Sequence, residues 1–180
     1  MSAPPLWRIG AEAASYTADD LAGKGAETTG GRWNRRGTPV CYLSTTRALA
    51  CLETLVHLPG GRTPLPLNRY LVRITVPDAA WDARTVFDPA TCVAWDAEPA
   101  GMASHAWGEA WLRGAAALLA EVPSVLVPEE SNVLLNPRHP NASRVAAAAV
   151  RQWRYDPRLL RRLEPALPAP RAAPTKLLNP

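Results

Sequence analysis

The sequence predicts an α+β fold in one domain, and three observations carry that expectation. Stretches that alternate with a period of two are interleaved with stretches of helical spacing, without a regular strand-helix-strand rhythm. Hydrophobic residues make up 47% of the chain and charged residues 20%, enough for a core and too little charge for a disordered polymer. The length, 180 residues, suits a single compact unit.

Taken in order, Leu6-Trp7-Arg8-Ile9 reads as a short, edge-like strand. Tyr16 to Thr29 scatters glycine among polar residues and reads as a short helix and loop. Gly30-Gly31 permits positive φ and close backbone approach just before Arg32-Trp33-Asn34. Pro39 to Ser44 is a strand by composition. Ser44 or Thr45 can cap a helix running to about His57, with Ala48, Leu49, Leu52, Leu55 and Val56 on one face and Glu53 at its flank. Arg69 to Val76 alternates Tyr70, Val72, Ile74 and Val76 against Leu71, Arg73 and Thr75, the pattern of a half-buried strand ended by Pro77-Asp78.

Residues 79–101 read as irregular, and Ser104 to Gly114 as a helix with Trp107 and Trp111 on one side. Two apolar runs, Ala117 to Val122 and Val125 to Val127, flank Pro123-Ser124, and Asn132 to Asn136 is another short strand before the turn at Pro137 to Pro140. Residues 143–151 favour helix by alanine content, although their place after a run of strands leaves that open.

No apolar run reaches the roughly 18–20 residues of a membrane-spanning helix. The opening MSAPPLWRIG lacks the charged-then-apolar order of a signal peptide, so none is expected. Three cysteines (Cys41, Cys51 and Cys92) with no CxxC spacing argue against a disulfide framework or a zinc site and fit a cytoplasmic location. His57, His105 and His139 have no ligand-like spacing, so no metal site is expected. Phosphate-loop, HExxH and GxSxG motifs are absent. Charge is uneven: residues 1–137 carry a net −3 and residues 138–180 a net +7. A basic end invites an acidic partner, either nucleic acid or an acidic protein surface.

Three stretches carry chemistry when taken together. GGRWNRRGTPVCYLS supplies Arg32 and Tyr42, ALACLETLVHL supplies Glu53, and VPSVLVPEESNVLLNPRHP supplies Ser124. With WRYDPRLL at 153–160 as a close, they resemble the RES domain in order and separation over about residues 6–163, leaving 164–180 as a proline-rich tail expected to be disordered. The resemblance implies a relative of ADP-ribosyltransferases, with a split antiparallel sheet whose cleft takes NAD+ as substrate and no separate cofactor. It further implies a toxin paired with an Xre-type antitoxin that carries a helix-turn-helix, any nucleic-acid contact being made through that partner. The expected reaction is cleavage of the nicotinamide–ribose bond by hydrolysis or phosphorolysis, or transfer of ADP-ribose to a protein.

The residue types suit that chemistry. Departure of nicotinamide leaves a positively charged, oxocarbenium-like sugar, which a fixed carboxylate stabilises, the role expected of Glu53. Arg32 can fork onto phosphate oxygens. Tyr42 offers a flat face and a hydroxyl, and Ser124 a hydrogen bond to the carboxamide or ribose. Asn34 fixes the loop by an Asx-type bond and borders the substrate, while Asn132 anchors a strand end and Glu129 faces solvent. Each has a plainer reading: Arg32 in a structural ion pair, Glu53 paired with Arg47 or Arg32, Tyr42 as core, Ser124 as a turn residue. A basic, non-enzymatic nucleic-acid module is the remaining alternative, against which stands the lack of any helix-turn-helix, zinc-finger or RNA-binding signature.

Overall fold

The computed structural model of the protein describes residues 2–58 and 65–161, so the tail expected from residue 164 lies outside the described residues. Seven strands form one sheet: β1 (Leu6–Ala11), β2 (Cys41–Ser44), β3 (Arg69–Thr75), β4 (Thr85–Val86), β5 (Leu119–Pro123), β6 (Ser131–Leu135) and β7 (Ala146–Gln152). Their spatial order is β4-β5-β6-β2-β1-β3-β7, antiparallel throughout except for the parallel pair β4-β5. Five helices complete the α+β fold: α1 (Lys24–Thr29), α2 (Arg47–Leu55), α3 (Asp78–Asp82), α4 (Met102–Gly114) and α5 (Pro157–Arg161).

Alternation along the strands sorts side chains to two faces. On one face Leu6, Leu43, Val72, Ile74, Val133 and Leu135 join in a single apolar cluster. On the other face the core is divided. There α4 and the aromatic residues Trp33, Phe87 and Trp111 pack on Ala120, Val122 and Leu134, while Ala50 and Leu55 of α2 pack on Trp7, Ile9 and Leu71. Full burial of each such side chain contributes about 1.5–3 kcal/mol. The division falls where β1 meets β2, strands that share one register pair, Trp7 with Ser44. The sheet is therefore two well-paired ribbons, β4-β5-β6-β2 and β1-β3-β7, joined at a narrow seam.

Several elements differ from the sequence reading. β1 is an interior strand, not an edge, because it pairs with β2 on one side and β3 on the other, and both of its faces are covered, Leu6 on one and Trp7 and Ile9 on the other. Residues 143–151 include strand β7, whose pairing with β3 overrides the helical preference of its alanines. Within 79–101, α3 and β4 give regular structure to part of a stretch read as irregular. Val125 to Val127 does not continue as a strand. The cap of α2 is Thr46, whose hydroxyl accepts from the Leu49 N–H at 3.0 Å; Thr45 instead donates to the Ser131 carbonyl. Leu49, Ala50 and Leu55 are the buried residues of α2, whereas Leu52 and Val56, expected on the same face, are 40% and 53% exposed.

Candidate active site

The seam gathers polar side chains from strand ends. β2 ends at Ser44, which pairs in register with Asn132 near the start of β6, and β5 ends one residue before Ser124. Because neighbouring strands run antiparallel, these three ends lie at the same margin, and α2, which leaves β2 immediately, brings Glu53 over them. Glu53 Oε1 accepts from Ser124 Oγ at 2.8 Å and from Asn132 Nδ2 at 2.5 Å. Asn132 is oriented in turn because its Oδ1 accepts from Ser44 Oγ at 2.8 Å. Ser124 is buried, and its hydroxyl also accepts the N–H groups of Leu126 and Val127 at 3.1 and 3.2 Å. That turn is why the apolar 125–127 run leaves the sheet.

The carboxylate of Glu53 is thus fixed by neutral donors. Among the described residues no cation lies within ion-pair distance of it, so the expected alternative of a pair with Arg47 or Arg32 does not hold. Arg47 instead lies over the Trp7 ring, 4.0 Å from its centroid. Ser124 gives its hydroxyl to Glu53, which makes it a positioning group for the acid. Ser44 was legible only as a candidate helix cap, and nothing in the sequence marks its link to Asn132.

Tyr42, one pleat before Ser44 on the same side of β2, belongs to a second hydrogen-bonded group. Its hydroxyl accepts the Trp33 N–H at 3.0 Å and donates to Asn34 Oδ1 at 2.8 Å. Asn34 is fully buried, and its amide donates to the carbonyls of Ala26, Arg35 and Thr38. These bonds tie the loop to its surroundings through carbonyls and the Tyr42 hydroxyl, in place of the Asx-type bond expected, and they engage both polar atoms of the Asn34 side chain. Gly31 is required here: a Cβ at that position would stand 2.7 Å from the Tyr42 hydroxyl and 3.1 Å from Asn34 Oδ1. Burial is the largest effect on the Tyr42 hydroxyl and pushes its pKa up; its bond to the Trp33 backbone and the Arg32 guanidinium lower it, and the Glu53 carboxylate raises it. Arg32, Tyr42 and Glu53 therefore share one electrostatic neighbourhood.

Arg32 is held by the segment before α4. Its Nη1 donates to the carbonyls of Trp95 at 3.1 Å and Ala97 at 2.8 Å, and its Nη2 meets the Glu98 carboxylate at 3.0 Å. The Arg32 side chain is 17% exposed and that of Glu98 81%. Trp95 stacks on Trp33, with centroids 6.0 Å apart, so the segment is anchored in the aromatic cluster. Trp33 itself is core, as are the other buried tryptophans. Beside this segment an open groove of about 560 Å³ is lined by Gly30, Gly31, Arg35, Arg36, Pro99 and His105, among others. Arg35 there pairs with Glu109, and His105 Nε2 lies 3.0 Å from the Gly31 carbonyl. Glu129 is exposed, and Glu130 accepts from Thr46 Oγ1 at 2.6 Å. Among the described residues no three His, Cys, Asp or Glu side chains gather as a metal site, and no helix is long and apolar enough to cross a membrane.

These features define a single-domain α+β protein with a split sheet and an uncompensated carboxylate clamped at its seam. The RES domain family model matches residues 5–158, and the chain belongs to that family. It is 52% identical over 158 residues to the "Prs ADP-ribosylating toxin" of Sphingobium sp. (strain YBL2), covering 87% of this chain and 97% of the relative. It is also 39% identical to the "Toxin Res" of Pseudomonas putida, over 76% of this chain and 87% of the relative. The "Toxin Res" of Yersinia enterocolitica is 38% identical, over 80% and 93% respectively.

Proposed function

We propose that the chain is a toxin that consumes NAD+ by breaking the nicotinamide–ribose bond, with Glu53 stabilising the sugar cation. The observation that carries this reading is the clamp on Glu53. Glu53 is a carboxylate held in a fixed place by Ser124 and Asn132, and among the described residues no ion pair offsets its charge. Such a group stabilises positive charge as it develops, without having to reorganise at the moment of reaction. In the step proposed, the C1′–N bond breaks with its electron pair leaving on nicotinamide, which departs neutral. C1′ then bonds to an oxygen or nitrogen of the acceptor, which loses its proton.

Arg32 takes the phosphates in this reading, its outer Nη2 being the part of the guanidinium not bound to a carbonyl. Tyr42 packs beside the reacting ring, and Asn34 holds the loop carrying Arg32. Ser124 and Asn132 act through Glu53.

For the acceptor, the 52% identity to an ADP-ribosylating toxin favours a protein side chain. Water or phosphate as acceptor, giving net degradation of NAD+, is the second reading; it uses the same bond-breaking step and the same carboxylate. The toxin names of the relatives support a neutralising antitoxin partner. We propose an Xre-type protein with a helix-turn-helix, through which any operator contact is made, in the cytoplasm.

The test is incubation with labelled NAD+, with and without phosphate and bacterial lysate. Label on a protein band is expected for transfer, free ADP-ribose for hydrolysis, and a phosphorylated sugar product for phosphorolysis. Intact NAD+ in every arm, from folded protein, overturns the reading.

A further inference from the structure

The two margins of the sheet are guarded differently. β4, at one margin, is two residues long. β7, at the other, runs seven residues from Ala146 to Gln152 and pairs with β3 over six register positions. Among the described residues no strand pairs with its outer side. Margins are ordinarily blunted by proline, by inward-pointing charge or by brevity. The run Ala146-Ala147-Ala148-Ala149 has none of these and pairs with β3 in unbroken register; the register shifts only at Val150, between the Val72–Ala149 and Leu71–Arg151 pairs, and every position of β7 except the partly buried Ala147 is exposed. Side chains this small let another backbone come to hydrogen-bonding distance without anything being moved aside.

The surroundings carry one sign of charge. Residues 138–161 contain six arginines and a single acid, Asp156, which is held by Arg158. Arg144 precedes the strand, while Arg151 and Arg154 lie at and after its end, all exposed. Arg151 sits over the Trp153 ring, 4.6 Å from its centroid, which fixes that cation near the end of the strand. Arg73 of β3, opposite Ala148 in register, is exposed as well.

We propose that β7 is a docking strand for an acidic, extended polypeptide segment of a partner protein, which adds to the sheet as an eighth strand. Strand addition draws its affinity from main-chain hydrogen bonds, and the four alanines ahead of the register shift offer those groups unobstructed. The arginines supply attraction and orientation for a segment of opposite charge. A second copy of this chain would bring two arginine-rich margins together. Nucleic acid would use the arginines but make no use of the bare backbone. The inference is independent of the NAD+ reading, since no residue of β7 contributes to the Glu53 or Arg32 groups.

The test uses the full chain and synthetic peptides of about ten residues, long enough for one strand. One peptide alternates Glu and Val, one has the same sequence with alternate amides N-methylated, and one replaces Glu by Lys. The acidic peptide is expected to bind, more weakly as salt rises, and to slow amide hydrogen exchange within residues 146–152 by about tenfold or more. The N-methylated and Lys peptides should fail to bind. The Arg151→Glu/Arg154→Glu variant should lose the acidic peptide while keeping the wild-type circular dichroism spectrum. Equal binding of the N-methylated peptide, protection of β7 by an oligonucleotide or by self-association, or full protection of these amides in the free chain would each overturn the proposal.

Discussion

Glu53 and Arg32 are the two charged groups whose fields reach the Tyr42 hydroxyl, and they are held in opposite ways. Two neutral side-chain donors converge on one oxygen of Glu53, and those donors are oriented by others behind them, so position is fixed while charge is left unspent. Arg32 is fixed by two backbone carbonyls and partly neutralised by Glu98, a carboxylate 81% exposed to water. An acid that must meet a transient cation gains from having no partner. A base that must meet phosphate gains from a partner that is easily exchanged, since an exposed ion pair contributes little.

Five substitutions and a titration test that contrast, in order of expected effect. Glu53→Gln keeps the shape and an acceptor oxygen but removes the charge. NAD+ turnover should fall by about 100-fold or more with the unfolding midpoint nearly unchanged. Ser124→Ala leaves Glu53 with one donor and orphans two backbone N–H groups. Turnover should drop about tenfold at unchanged KM, with about 1–2 kcal/mol lost in urea unfolding. Arg32→Ala should raise KM for NAD+ about five- to tenfold and speed hydrogen exchange at 95–98, and Arg32→Lys should not rescue it, because lysine lacks the planar fork. Glu98→Gln should do the reverse, lowering KM about twofold with kcat and stability unmoved.

The titration concerns Tyr42. Its proton affinity is raised in the fold, chiefly by burial, so its contribution to stability is fully present below the ordinary value of 10 and is lost as pH rises above it. Cys41, pushed up to about 11 from 9.0 by burial, begins the same decline from pH 9. Urea unfolding across this range should show stability falling with pH, less steeply in Tyr42→Phe. Glu53→Gln should move the Tyr42 transition down and Arg32→Ala should move it up.

Legibility followed sequence distance. α2, β3 and α4 announce themselves through local periodicity, β5 only as a short apolar run and β6 as a short strand. β1 was too short to reveal that both its faces are covered. The alanines of β7 favour helix and left its assignment open, because the partner that makes it a strand, β3, lies about 75 residues earlier in the chain. In the candidate site, Arg32, Tyr42, Glu53 and Ser124 emerged from the family pattern, and residue chemistry suggested the role proposed for Glu53. The relay from Ser44 through Asn132 could not be read, since it exists only through a cross-strand register between residues 88 apart. The capture of Arg32 by carbonyls 63 and 65 residues away was equally hidden.

Ser44 has two duties: its backbone makes the lone stitch between the ribbons, and its hydroxyl begins the chain of contacts that aims the acid. Mechanical integrity and chemical competence thus hang from the same residue. Slight loosening at that stitch, by mild urea or warming, should silence the protein while circular dichroism still reports an intact sheet.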